Sequence, residues 1–165
     1  MDESLNICLP CGLCCDGTLI GFVRLESEEV VKFKSTKEIE VIDGEGFFFQ
    51  PCSDFCEKCT IYDQRPKKCA SFNCGLLDSV QTNTTNLNEA LQIIASVKHQ
   101  KKTIEQKMEN LVDEFKGKSF YFKTLELKKK LKQSYSEHQL TNEQLILLNE
   151  LETLEKLIYS KFKLS

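Results

Sequence analysis

The sequence predicts an α+β fold: a small metal-stapled cysteine-cluster domain with a short β-hairpin and a short helix, followed by a C-terminal antiparallel bundle of about three helices. The first observation behind this prediction is that all nine cysteines of the 165-residue chain lie between residues 8 and 74. The second is an alternating apolar and polar segment in the same half, which predicts paired strands. The third is that apolar residues in the other half recur every three or four positions, the spacing of a helix that buries one face. We therefore place the cysteine-cluster domain at residues 1–77 and the helical region, packed on it or on a partner, at residues 86–165.

The first half is predicted to contain a strand, a helix and a hairpin. Residues 18–25 are strand-like but interrupted by Gly21. Residues 26–34 predict a short helix that Ser27 caps. Residues 38–50 predict a hairpin, because an alternating run is followed by a glycine-containing turn. So small a segment buries little apolar surface, and we expect a metal to stabilise it.

Charge is distributed unevenly between the two halves. Residues 1–85 carry 8 Lys and Arg against 14 Asp and Glu, whereas residues 86–165 carry 14 against 11. The polar stretch 78–88 predicts a linker that ends at a helix N-cap, either Asn86 or Asn88. An acidic first half disfavours binding to nucleic acid.

Three helices are predicted in the second half, at residues 87–117, 119–133 and 140–162. Gly117 ends or bends the first of them. Thr141 and Gln144 form a capping box at the start of the third. We expect this leucine-rich third helix to pack on the other two, and contact with a protein partner is the alternative.

The compartment follows from what the sequence lacks. The N-terminus "MDESLNICLP" has neither the basic nor the apolar region of a secretory signal. No run of about 18 apolar residues predicts a membrane span. We therefore expect a cytoplasmic protein, where an odd number of cysteines disfavours a disulfide framework and favours metal binding.

Two cysteine-rich loops carry the chemistry, and the first of them has the sequence "CLPCGLCC". A C-x-x-C turn places two thiolates on one side of a loop, and C-x-x-C-x-x-C brings three together, as iron–sulfur ferredoxin loops do. A ligand set so rich in sulfur selects zinc, iron–sulfur or Cu(I). His99 and His138, the two histidines, occupy polar helical positions where we expect solvent exposure. The nine candidate metal ligands are Cys8, Cys11, Cys14, Cys15, Cys52, Cys56, Cys59, Cys69 and Cys74.

The adjacent pair Cys14 and Cys15 is the sharpest feature of these loops. Neighbouring side chains point away from each other in extended backbone, so both are poor candidates for terminal ligands of one tetrahedral ion. Either the two thiols serve different centres or one of them bridges. The pair therefore indicates a multinuclear site.

Other fixed residues around the cysteines complete an ordered pattern over roughly residues 6–74: C-x-x-C-x-x-C-C, then P-C, then C-x-I-Y-x-x-R-P-x-x-C. It falls on Cys8, Cys11, Cys14, Cys15, Pro51, Cys52, Cys59, Ile61, Tyr62, Arg65, Pro66 and Cys69. This pattern resembles the CxxCxxCC (YkgJ-like) family, a bacterial cysteine-cluster group described as zinc- or iron-chelating domains. The resemblance implies zinc or iron, often as an iron–sulfur cluster, and no assigned reaction. Cys56 and Cys74 lie outside the pattern, so their ligation stays open.

These observations support a metal-binding protein of unassigned reaction, with zinc or iron held by the two loops. The alternative is an iron-dependent enzyme or electron-transfer protein with a multinuclear iron or iron–sulfur centre. We expect Tyr62 to pack under the site and Arg65 to offset the negative charge of the thiolates.

Overall fold

The computed structural model describes residues 7–111, 115–137 and 140–163, except for the side chains of residues 134–137. It is a mixed fold of helices and strands, as predicted. A 3₁₀ turn, Tyr62–Gln64, lies between Cys59 and Lys67. The elements in chain order are α1 (Cys8–Cys11), β1 (Phe22–Leu25), α2 (Ser27–Phe33), β2 (Glu40–Ile42), β3 (Glu45–Phe49), β4 (Phe55–Cys56), β5 (Lys58–Cys59), α3 (Lys67–Ser71), α4 (Gly75–Gln81), α5 (Leu87–Leu111), α6 (Phe120–Glu137) and α7 (Asn142–Phe162).

An antiparallel sheet in the order β1-β3-β2 occupies the first half. The predicted hairpin is β2–β3, whose two-residue turn consists of Asp43 at φ 52° and Gly44 at φ 81°. An Asp-Gly turn with two positive φ values matches the right-handed twist of paired strands. β1 pairs with the other edge of β3, with Val23 opposite Phe48. The predicted strand therefore forms, but only after Gly21.

The buried face of the sheet packs against α2 and forms the smaller of two apolar cores, which we call the sheet core. The prediction that Ser27 caps α2 is wrong, because Ser27 is the first helical residue. Glu26 is the cap, and Glu29 accepts a hydrogen bond from the Glu26 N–H at 3.0 Å in a reciprocal capping box. A carboxylate at this position is also stabilised by the positive, N-terminal end of the helix dipole. The sheet core consists of Val23, Leu25, Phe33 and Phe48.

The larger core, which we call the helical core, lies among α4, α5, α6 and α7 and takes in the first cysteine loop. α5 packs on both α6 and α7, and α6 packs on α7. The helical core contains residues from both sides of the proposed boundary between residues 1–77 and 86–165. The division into two domains stays a prediction. The helical core consists of Ile7, Cys11, Leu13, Leu19, Leu76, Leu77, Val80, Ala90, Ile94, Val97, Ile104, Met108, Phe120, Leu127, Leu131, Leu147, Leu151, Leu154 and Phe162.

The interpretation of residues 78–88 as a linker is wrong in its first part. α4 continues to Gln81. Its apolar residues Leu76, Leu77 and Val80 are buried as part of the helical core, and this packing stabilises the helix. The predicted cap at the end of this stretch is confirmed for Asn86, whose Oδ1 accepts a hydrogen bond from the Glu89 N–H at 2.9 Å.

The long helices follow their predicted spans closely. α5 begins at the predicted Leu87, and residues 112–114 of the predicted helix lie outside the described part. The prediction is wrong for residues 115–117, which are not helical. α6 extends four residues beyond the predicted end, to Glu137. α7 begins with the predicted capping box of Thr141 and Gln144. Within the described part of the chain, no helix combines the length and the apolar character that a membrane crossing requires.

Candidate metal centre

The first cysteine loop is a single helical turn closed by a left-handed residue. α1 ends at Gly12, which has φ 67° and donates its N–H to the Cys8 carbonyl at 3.1 Å. Glycine adopts this conformation without steric cost, so the chain reverses directly after Cys11. A further turn follows, in which the Asp16 N–H donates to the Gly12 carbonyl at 2.9 Å.

The second cysteine loop begins after the sheet and is built from short elements. The peptide bond between Gln50 and Pro51 is cis. β4 and β5 then form a very short hairpin, with Glu57 at φ 59° between them. Sequence periodicity missed this hairpin because each strand is only two residues long.

The structure brings the two loops together. The Cys52 N–H donates to the Cys15 carbonyl at 2.8 Å, which joins the loops through their backbones. Phe55 of the second loop packs over Gly12, so closely that a Cβ at this position would lie 2.5 Å from its ring. Gly12 therefore has two roles, since it both ends α1 and admits the second loop.

Four thiols lie on the helical side of this junction. Cys11 is buried within the helical core, and Cys8, Cys14 and Cys74 pack against that core. Cys74 stands at the N-cap position of α4, which is how a residue 60 positions after Cys14 reaches the first loop. We call Cys8, Cys11, Cys14 and Cys74 the helix-side set.

Electrostatic effects show that the members of the helix-side set are close to one another. The pKa of Cys11 is raised to about 12, chiefly by burial; the hydrogen bond with the Leu13 backbone opposes this rise, and the charges of Cys74 and Cys8 contribute to it. Burial also raises the pKa of Cys8, with Cys74 as the next contribution. Burial raises the pKa of Cys14 well above its usual value, and the further contributions come, in order, from Cys11, Cys74, Cys15 and Cys8.

Four other thiols lie on the sheet side. Cys52 and Cys69 pack against the sheet core. The pKa of Cys15 is raised to about 12, chiefly by burial and then by the charges of Cys59, Cys52 and Cys69, in that order. Burial raises the pKa of Cys69 to about 11, again with contributions from Cys52 and Cys59. We call Cys15, Cys52, Cys59 and Cys69 the sheet-side set.

A buried lysine, which the sequence analysis missed, faces the sheet-side set. The side chain of Lys37 is 1% exposed. Its Nζ donates to the Cys52 Sγ at 3.1 Å and to Asp54 Oδ2 at 2.5 Å, and lies 4.6 Å from the centre of the Phe48 ring. Burial alone would lower the pKa of Lys37, but the hydrogen bonds to Asp54 and Cys52 raise it overall, so the amine stays charged. No local motif marks Lys37, because its partners lie 15 and 17 residues away.

Arg65 supplies a second cation. Its guanidinium stacks on the Tyr62 ring at 3.6 Å, and its charge lowers the pKa of both Cys8 and Cys69, opposing the effect of burial. Its Nε and Nη1 atoms are buried and have no hydrogen-bond partner among the described residues. Two buried donors without acceptors are costly, and a thiolate held by a metal is an acceptor of the required charge.

The remaining candidates are less well placed. Cys56 is exposed and contributes to none of the thiol pKa shifts described above. Asp16 and Asp54 accept hydrogen bonds from Lys101 and Lys37. His99 is exposed, as expected. His138 lies outside the described residues.

The thiols are gathered, but they are not arranged as ready coordination shells. None of the nine cysteines forms a disulfide. Among the described residues, no three Cys, His, Asp or Glu side chains form a group that could hold an ion as they stand. The fit to a metal therefore rests on donor chemistry, namely two sets of thiols beside buried cations.

A comparison with protein-family models finds no match, and comparisons with curated proteins and with solved structures find none either. The site is therefore classified by its own structure, as a sulfur-rich cluster of thiols between a sheet and a helical core. Any closer assignment rests on the residues themselves.

Proposed function

We propose that the protein binds zinc or iron, the iron as ions or as an iron–sulfur cluster, through thiolates from both cysteine-rich loops. The observation that carries this proposal is the meeting of the loops at the Cys15–Cys52 backbone hydrogen bond, with eight of the nine thiols gathered around it. The order of these residues, which resembles that of the CxxCxxCC family, supports the same function.

The two buried cations favour metal binding over a role as ordinary buried thiols. Lys37 has an anionic partner in Asp54, but neutral thiols are weak acceptors and would leave its contact with Cys52 and the buried Nε and Nη1 atoms of Arg65 poorly satisfied. Four thiolates around a divalent ion carry a net charge of about −2, which nearby cations stabilise. Lys37 and Arg65 therefore have the sign, the position and the burial that a metal–thiolate site needs.

Electron transfer through a multinuclear iron–sulfur centre is the second candidate function. This candidate is favoured by two adjacent residues, of which Cys14 belongs to the helix-side set and Cys15 to the sheet-side set. The bound metal would supply the redox chemistry, while the chain supplies thiolate ligands, buried cations and an apolar surrounding.

Elemental analysis of protein purified without oxygen from iron-supplemented cells tests the proposal. A brown protein with absorbance near about 400 nm, iron and acid-labile sulfide would establish a cluster. A colourless protein with stoichiometric zinc would establish metal binding and exclude the electron-transfer candidate.

Cys56→Ser is the matched control, because this thiol is exposed and belongs to neither set. It is expected to keep the full metal content. A folded wild-type protein that neither retains metal nor takes up zinc or reconstituted iron and sulfide would refute the proposed function.

A further inference from the structure

Cys14 and Cys15 share a peptide bond but have different surroundings. Cys14 packs against the helical core with Cys8 and Cys74. Cys15 is joined through its carbonyl to Cys52, which packs against the sheet core. The backbone between the two residues therefore lies at the border of the two cores.

We infer that the chain holds two separate four-thiolate centres, one formed by the helix-side set and one by the sheet-side set, an inference that rests on the proposed metal-binding function. Eight thiols divide into two groups of four, and four thiolates complete the shell of one zinc ion or one cluster. Cys56 is left over, which accounts for the odd number of cysteines.

Packing supports the division for six of the eight thiols, and the backbone hydrogen bond from Cys52 joins Cys15 to the sheet side. Cysteines of the helix-side set contact the helical core, and Cys52 and Cys69 contact the sheet core. No cysteine in the described part of the chain packs against both cores. A single shared centre would require thiols from two different packing environments to leave them and converge on one ion.

The turn around Cys14 explains how two neighbours serve two sites. The Cys14 carbonyl accepts the Gly17 N–H at 3.3 Å, whereas the Cys15 carbonyl accepts the Cys52 N–H at 2.8 Å. The two carbonyls therefore bond to different segments of the chain, which favours separate centres over the bridging alternative.

Contact assigns Lys37 to one of the two centres. Its Nζ donates to the Cys52 Sγ at 3.1 Å, so this cation faces the sheet-side set.

Metal counting on the full-length chain tests this inference, with zinc alone as the probe. Native mass spectrometry of the wild-type protein is expected to show two zinc ions per chain. The paired change Cys8→Ser with Cys11→Ser should leave one ion, and so should Cys59→Ser with Cys69→Ser. Cys56→Ser should keep both.

One zinc ion per wild-type chain would overturn the two-centre inference and leave the proposed function intact, whereas a folded chain that takes up neither zinc nor reconstituted iron and sulfide would refute the proposed function itself. Cobalt substitution gives a second readout that needs no variant. Two magnetically independent Co(II) ions are expected, and a thiolate-bridged, spin-coupled pair would contradict separate centres.

Lys37→Met keeps all eight thiols and should have a selective effect. Loss of a partner that orients a metal ligand lowers affinity by about 10- to 100-fold, and this loss is expected at one of the two zinc ions. Equal weakening of both ions by Lys37→Met would contradict the assignment of Lys37 to the sheet-side centre.

Discussion

The two cores of this molecule differ in how much apolar surface holds them together. Among the described residues, the helical core buries nineteen side chains and the sheet core buries four. Burial of apolar surface is the main favourable term in folding, at roughly 25 cal/mol per Å². We therefore expect the helical core to fold on its own packing and the sheet side to depend on the proposed metal.

Removal of the metal should have the largest effect and should separate the two cores. Ligand geometry and folding are linked, so chelation is expected to unfold the sheet side while α5 and α7 stay folded. Hydrogen exchange is the appropriate measurement. It should show lost protection in β1 and β3, with slow exchange kept at Leu147 and Leu151. Uniform protection throughout a demetallated chain would mean that the sheet core is stable alone.

Truncation inside the helical core should have the next largest effect. Leu151 is 0% exposed, and Leu151→Ala is expected to lower the free energy of unfolding by about 2–5 kcal/mol. The bound metal per folded chain should not change, since Leu151 supplies no candidate ligand. Urea unfolding with parallel metal analysis measures both quantities. Leu145→Ala, at a position 46% exposed, is the control and should cost less than about 0.5 kcal/mol.

The contact between the cysteine loops can be tested at Gly12. Gly12→Ala adds a methyl group at φ 67° and places it 2.5 Å from the Phe55 ring. Backbone strain alone should cost about 1–2 kcal/mol. Gly44→Ala is a matched control, because Gly44 has φ 81° but nothing within 4 Å of the added atom.

Both glycine variants should lose similar stability from backbone strain, but only Gly12→Ala should also weaken zinc affinity. Competition with a chromophoric chelator measures that affinity. If the two variants bind zinc equally well, the packing of Phe55 on Gly12 does not hold the loops together.

One further effect is confined to the metal-free protein at high pH. Burial raises the pKa of Cys11, which lies in the helical core, to about 12, whereas an unfolded thiol titrates near its ordinary value. The unfolded chain therefore releases this proton first, and the stability of the helical core is fully present below about pH 8.5 and falls progressively toward pH 12. Urea titrations at several pH values should show this decline. The variant Cys11→Ala should show a smaller decrease of the free energy of unfolding with rising pH. An unchanged decrease would mean that the Cys11 thiol does not cause it.

Local patterns in the sequence were sufficient where structure depends on near neighbours. The Asp-Gly turn at residues 43 and 44, the Asn86 cap and the capping box of Thr141 with Gln144 all form as predicted. α4 could not be recognised from its own residues, because the helix is short and its apolar side chains are buried by segments distant in sequence. Lys37 was missed for the same reason, since its partners are distant in sequence.

The candidate ligands could be identified from sequence, but their grouping could not. Cysteine spacing alone marks Cys14 and Cys15 as unusual and leaves open whether they bridge or separate two centres. The division depends on which core each thiol contacts, and that is decided by packing between segments far apart in the chain. Cys74 shows this most clearly, because α4 carries it to the first loop.

The position of the first cysteine loop within the helical core also has a consequence for biosynthesis. The sheet-side ligands and the sheet core all lie between residues 15 and 69, so they can assemble while the ribosome is still making the helices. The helix-side thiols pack against a core that includes Phe162, near the far end of α7. Since domains emerge from the N-terminus onward, the order of closure is set by topology: the sheet side can close early, and the helix side reaches its final surroundings only after α7 has left the exit tunnel.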